Sequence, residues 1–239
     1  MTEITDASRD VSAAGKLITQ EKIDKLVKDL SVRVPNLITD PSKLKTPIDG
    51  TTFTQEQIDD ITSKLLLGLT TYGGIGLSAN QLGLNVRACV INVKEPLVLI
   101  NPRVTDVSRE TVAYVEQCLS IPKSMKKPVK TVRHKSITIE TDNLGTIVFS
   151  PDYVEGREWK DANEFFNDMG LLECVCAQHE IDHLNGILIT DVKRRYTTTI
   201  VKNKSYGRNE MVMVKLADGT TEFMKYKKAQ QLGAGVQIL

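Results

Sequence analysis

The sequence has almost no charge imbalance and no long apolar run. Its 31 lysines and arginines face 30 aspartates and glutamates, leaving a net charge of +1. So balanced a chain projects no strong field, which argues against sequence-specific nucleic acid or an acidic membrane surface as its partner. Nothing approaches the roughly 20 consecutive apolar residues needed to cross a bilayer. The first residues, MTEITDASRDVSAAGK, are polar and of mixed charge. They lack the apolar core of a secretory signal, so a cytoplasmic setting is expected. Without an export signal, Cys89, Cys118, Cys174 and Cys176 are expected to be core residues or ligands rather than disulfide partners. Internal repeats and low-complexity blocks are absent too. Histidine is scarce: His134, His179 and His183 are all there are.

What is present is ordinary globular composition, 41% hydrophobic and 26% charged over 239 residues, enough for one domain with extensions. Residues 16–30 place Leu17, Ile18, Ile23, Leu26, Val27 and Leu30 at helical spacing and predict a short amphipathic helix. Residues 54–72 predict a longer one, capped by Thr54, with Ile58, Ile61, Leu65, Leu66 and Leu69 as its buried stripe. GGIGLSANQLG is too rich in glycine for a regular element. RACVINV, LVLINP and TVAYVEQCLSIP read as strands, and SITIETDNLGTIVFS as a hairpin over a DNLG turn. Residues 152–168 predict a long loop, about 169–184 a second strong helix, and VMVKLADGTTEFMKY two strands across an Asp-Gly turn, followed by a soft tail. This order predicts an α+β fold, with mixed or antiparallel strands packed around a central helix rather than a doubly wound parallel sheet.

In that second helix Leu171, Leu172, Val175, Cys176, His179 and His183 fall on one side. Two histidines four apart lie one turn apart along a helix and about 40° apart around it, so both rings can reach one ion. A lone inward histidine is most often a core residue bonded to backbone. Here Glu180 follows the first, and His-Glu-x-x-His is the pattern in which two histidines hold a metal and the glutamate acts as general base on water. Hydrolytic metal sites usually have three protein ligands. No histidine lies downstream of His183, and the downstream glutamates, Glu210 and Glu222, sit in the tail; the best upstream candidate is Cys118.

With these residues in view, the sequence resembles the peptide deformylases. GIGLSANQ (74–81), EQCLS (116–120) and QHEIDH (178–183) match that family's three motifs in order, and the likeness runs from about 35 to 195. The resemblance implies a metal-dependent hydrolase that removes the formyl group from N-formylmethionine on nascent polypeptides, releasing formate. It implies Cys118, His179 and His183 as ligands of one divalent ion, Fe²⁺ natively, with Zn²⁺, Ni²⁺ or Co²⁺ able to substitute. Glu180 would be general base and acid. Gln81 and the backbone N–H of Leu119 would receive the formyl oxygen, and Ile75 and Gly76 would pair with the substrate backbone. Arg133 would hold Asp182 beneath the metal. Leu172, Val175 and Ile75 are expected to wall the methionine pocket. It also implies three parts: residues 1–34 as an N-terminal extension with a short helix, 35–195 as the catalytic domain, and 196–239 as a C-terminal extension with a β-hairpin. The expected partners are formylmethionyl nascent peptides at the ribosome, with the chain acting as a monomer.

The sequence departs from the family in several places. Gln117 stands where the family has glycine before the metal cysteine; it is costly if that position needs a positive φ, and it is expected to narrow the cleft or alter affinity. Ser78 replaces a small alanine. The spacing from Cys118 to Arg133 is longer than usual, and the cleft's basic residue has no clear counterpart beyond Lys126 or Lys127. The 150–168 loop is longer too. Two other readings remain open on the sequence alone: a zinc endopeptidase of the His-Glu-x-x-His kind, and a catalytically impaired binding protein in which Gln117 has disabled the site. His134 is expected at the surface, and Cys89 and Cys176 in the core.

Overall fold

A computed structural model describes residues 35–152, 159, 161–192, 207–216, 218–232 and 237–238. The helix expected at 16–30 lies outside the described residues. The described part contains five α-helices, α1 (Gln55–Tyr72), α2 (Pro122–Lys126), α3 (Ala162–Phe166), α4 (Met169–Leu184) and α5 (Tyr226–Gln231), and eleven strands in three sheets.

The first sheet joins β1 (Gly76–Ser78), β2 (Ala88–Asn92) and β3 (Pro96–Ile100), all antiparallel, with β1 at one edge. The second is β4 (Arg103–Val107), β7 (Ile137–Thr141) and β8 (Gly145–Phe149). The third is five-stranded, in the order β11 (Gln237–Ile238), β9 (Met211–Lys215), β10 (Thr221–Lys225), β5 (Thr111–Glu116) and β6 (Val129–His134). Its β10–β5 pairing is parallel and rests on Thr221 opposite Val112; the other pairings are antiparallel. The α+β expectation holds.

Local chemistry sets the boundaries. The side chain of Thr54 accepts from the N–H of Gln57, and the Gln57 side chain returns the bond, a capping box that starts α1. The DNLG turn joins β7 to β8, and the Asp-Gly turn joins β9 to β10. Asp168 caps α4 by accepting from Leu171 N–H at 2.8 Å, and also accepts from the indole of Trp159 and the N–H of Asp152. At its other end Gly186 sits at φ +72, with its Cα edge so near the Lys45 carbonyl that a Cβ would lie 2.4 Å from that oxygen. Only glycine meets both demands there.

Several expectations need correction. The glycine-rich stretch is not irregular: it holds β1 and a 3-10 turn at Ala79–Leu82. The 152–168 loop contains α3, built on the buried pair Trp159 and Phe165. The tail after the hairpin continues as α5 and β11, because Tyr226 and Ala229 bury against β9 and β10. Helix α4 is not one-sided. Glu173 and Gln178, polar residues outside the stripe of Leu171, Leu172, Val175, Cys176, His179 and His183, are buried too, so the helix runs through the centre of the molecule. One core packs Cys174, Ala177, Ile181 and Leu184 of α4 against β2, β3, β7 and β8. Another packs α1 on the first sheet through Leu65, Leu69, Val90 and Ile100.

Candidate metal centre

Cys118 follows the last residue of β5 by two positions. Its carbonyl accepts from Ile121 N–H at 3.0 Å, and its own N–H donates to Ser124 Oγ at 2.8 Å, so a tight turn aims its sulfur at α4. His179 and His183 project from α4 with ring centroids 4.9 Å apart. The ligand atoms of Cys118, His179 and His183 all lie within 4.8 Å of one another, and all three residues are buried. Cys118 Sγ is 3.2 Å from His183 Nε2. A thiol and two imidazoles converging in a buried place make a donor set of the soft-to-borderline kind that suits zinc or iron. Glu222 instead pairs with Lys130, and Glu210 accepts from the N–H of Gly207, so neither downstream glutamate joins the cluster.

The residue that sequence reasoning passed over is Glu116. Its Oε2 accepts from His179 Nδ1 at 2.7 Å, and its two oxygens take Arg133 Nε at 2.7 Å and Nη2 at 3.0 Å. Thr131 Oγ1 donates to it as well. With Nδ1 engaged, His179 presents Nε2 to the cluster. Glu116 was visible in EQCLS, two positions before Cys118, the spacing that puts side chains on one face of an extended chain. Burial alone would raise its carboxyl, but the guanidinium of Arg133 and the His179 ring outweigh burial and hold it well below the usual carboxylate range. Arg133 also reaches Asp182 Oδ2 through Nη1 at 2.5 Å, so the pairing expected from the sequence is present within a larger buried network. Burial opposes charge on Arg133, yet Glu116 and Asp182 keep it firmly cationic.

Glu180 lies on the other side. Its Oε2 is buried without a hydrogen-bond partner, and burial pushes its carboxyl up to about 7, against the lowering effect of His179 and Ser78. A carboxyl near neutrality is able both to take and to return a proton. Gly76 makes this placement possible: a Cβ there would stand 2.5 Å from Glu180 Oε1 and 2.6 Å from Cys176 Sγ. Gln81 is oriented by its neighbours. Its Oε1 accepts from the N–H and Oγ of Ser78, both at 2.9 Å, which turns Nε2 toward Ser120 Oγ (3.1 Å) and Cys118 Sγ (3.8 Å). The Ser78 hydroxyl is thus more than a small filler.

These groups open into a cavity of about 460 Å³. Ile75, Gly76, Gln81, Gln117, Leu119, Leu172, Val175, His179 and Glu180, all singled out from the sequence, line it, together with Cys118. Tyr114, Glu116 and Cys176 line it too; Cys176 is therefore a wall as well as core, and its thiol lies 3.4 Å from the Ile75 carbonyl. Lys126 and Lys127 do not line it; Met125 does. Asn101 is the one non-glycine residue at positive φ among the described residues, so Gln117 carries no backbone strain, and its Nε2 donates to the Met125 carbonyl at 3.0 Å. His134 is half-buried with Nδ1 against the Ser108 carbonyl, neither ligand nor surface residue. All four cysteines are free thiols.

The sequence model of the polypeptide deformylase family matches residues 36–198. The chain belongs to that family. Among its relatives is a peptide deformylase of Prochlorococcus marinus, 32% identical over 196 residues, which are 80% of this chain and 85% of the relative. Another, from Rhizobium meliloti, is 41% identical over 124 residues, 49% of this chain and 60% of the relative. Among solved structures, the peptide deformylase of Thermotoga maritima aligns over 69% of this chain and all of its own, with a TM-score of 0.54 and 26% identity. A deformylase of Synechococcus elongatus, solved with actinonin, aligns over 70% of this chain and 83% of its own (TM-score 0.53, 26% identity). Like its family, the chain is a metal-dependent enzyme. No helix among the described residues is long and apolar enough to cross a membrane.

Proposed function

We propose that the cleft over Cys118, His179 and His183 is where this enzyme hydrolyses the formyl amide of peptides beginning with formylmethionine. The activity itself, removal of the formyl group from nascent polypeptides, follows from family membership. The observation that carries the placement is that Cys118 and His179 of the three-donor cluster line one cavity with Glu180 and Gln81, while His183 lies buried against Cys118 behind them.

Cys118, His179 and His183 would hold one divalent ion, and Fe²⁺ is the native metal we favour. Held there, it supplies the Lewis acidity that makes water nucleophilic at neutral pH. Glu180 takes the proton from the attacking water and returns it to the departing amine. Gln81 Nε2 and the N–H of Leu119 receive the negative charge that grows on the formyl oxygen; two such donors are worth several kcal/mol in a dry site. Glu116 fixes the His179 ring, and Arg133 with Asp182 holds Glu116 and α4 in register. The methionine side chain enters between Leu172, Val175 and Ile75, where its burial contributes about 1.5–3 kcal/mol. The peptide backbone lies along the free edge of β1 as an added strand, paired through Ile75 and Gly76. Residues 35–195 would be the catalytic unit, flanked by extensions at 1–34 and 196–239. We place the enzyme in the cytoplasm as a monomer that meets its substrates at the ribosome.

Formate release from formyl-Met-Ala-Ser by iron-loaded, anaerobically prepared protein tests this reading. Turnover that disappears in Glu180→Ala is expected. Turnover that survives in Glu180→Ala, or no turnover in the loaded wild-type chain, overturns it. The endopeptidase alternative has lost its ground, because Cys118 sits in the donor cluster. The impaired-binder alternative has lost its own, because Gln117 is unstrained.

A further inference from the structure

The methionine pocket does not end at its rim. Three large apolar side chains stand around its mouth, each lining the cavity and each about half exposed: Val115 at 45%, Met125 at 48% and Phe166 at 46%. Ile75, at 42%, faces them from the β1 side. Such clustering of exposed apolar surface is unusual unless something covers it. The only ionisable carboxylates among the described lining residues are Glu116 and Glu180, both buried at the floor, and no lysine or arginine is among them.

The rim is also held in place. The Gln117 side chain grips the Met125 carbonyl at 3.0 Å and so ties α2 to the end of β5. Phe166 stands edge-on to Phe165, with ring centroids 5.0 Å apart, and its ring lies 6.2 Å from that of Phe223 on β10. Gln117, where this chain departs from the family's glycine, and Phe166 of α3 therefore hold the two sides of one lip. What covers the lip follows from continuity. β1 is a sheet edge, and beyond Val112 the β10-facing edge of β5 has no partner strand among the described residues. An extended peptide with its first side chain in the methionine pocket must run out between those edges and past the lip.

We propose that Val115, Met125 and Phe166 are specificity-determining residues that favour substrates with large apolar side chains at the two positions after formylmethionine. The proposal rests on the deformylase reading of the cleft. Apolar side chains there would bury surface that is already ordered, at little cost in side-chain freedom, whereas serine would gain nothing and leave the lip wet.

The test is kcat/KM of the full-length, metal-loaded enzyme on formyl-Met-Leu-Phe, formyl-Met-Leu-Ser, formyl-Met-Ser-Phe and formyl-Met-Ser-Ser. The expected ratio between the first and last is about tenfold or more, equivalent to ~1.4 kcal/mol, and it should reside in KM because the lip touches no reacting atom. Met125→Ser and Phe166→Ser should each cut that ratio at least threefold. Val115→Ser, on β5, should do the same and does not depend on α3 staying folded. Equal kcat/KM across the four peptides, or an unchanged ratio in all three variants, overturns the proposal and leaves the deformylase reading intact. Faster turnover of formyl-Met-Asp-Asp than of formyl-Met-Leu-Phe overturns it too, and would point to Lys123 and Lys126 of α2. No formate from any peptide overturns both.

Discussion

Glu116 shows how much the proposed metal ligand His179 depends on what stands behind it. It meets Arg133 and His179 at once in a buried site, and Arg133 shares its charge between Glu116 and Asp182. Glu116→Gln keeps the shape and removes the anion. Metal affinity, measured by competition with a chelating dye, should fall 10- to 100-fold; unchanged affinity would mean the carboxylate serves only Arg133. Glu180 gives a prediction with a sign. Its folded-state value near 7 lies above the unfolded value of 4.5. Between those two points the unfolded chain has released the proton and the folded chain still holds it, so the metal-free protein loses stability as pH rises through that window. The full effect, reached above pH 7, is on the order of 3 kcal/mol. Glu180→Gln should therefore raise the thermal midpoint of metal-free protein at pH 8 and leave it nearly unchanged at pH 4.5, by scanning calorimetry. That Cys118, His179 and His183 come together with Glu180 close by was legible, because ligand chemistry restricts residue types and helical spacing restricts geometry. Glu116 was not read, since a carboxylate beside a cysteine announces no partner until Arg133 and His179 are brought to it from elsewhere in the chain.

At the level of the element, α4 and β1 depend on each other. Helix α4 carries both histidines and Glu180, the proposed base, and β1 passes so close that only a hydrogen fits at Gly76. Gly76→Ala must displace Glu180 or Cys176, both enclosed. Activity should drop 100-fold or more while bound metal, measured by atomic emission, stays near one per chain; loss of metal instead would show that the clash propagates to His179. The helices and hairpins were legible wherever caps, stripes and turn residues spoke locally: Thr54, DNLG, and Asp-Gly before TTEFMKY. β1 was not, because its strand character comes from pairing with β2 across Gly76–Ile91, Leu77–Val90 and Ser78–Cys89, which no local pattern encodes. The burial of Glu173 and Gln178 on α4 escaped for the same reason. Glu173 and Gln178 look like surface residues until Gln178 is seen bonded to both backbone groups of His134.

At the scale of the whole molecule, the third sheet joins parts far apart in sequence. Phe223 of β10 packs on Phe165, ring centroids 5.0 Å apart, inside a cluster with Tyr114, Trp159 and Val175. Phe223→Ala should cost about 3–5 kcal/mol and, by loosening Phe165 and Phe166, raise KM for apolar peptides; denaturant unfolding and peptide kinetics together check this. A stability loss with the peptide preference intact would confine Phe223 to packing. The parallel pairing of Thr221 with Val112 has a consequence in time. During synthesis β5 emerges more than a hundred residues before its neighbour, so the strand bearing the approach to Cys118 waits with one edge bare. Pairing across so wide a separation is slow, and that waiting edge is where a partly made chain is most exposed to pairing with the wrong strand.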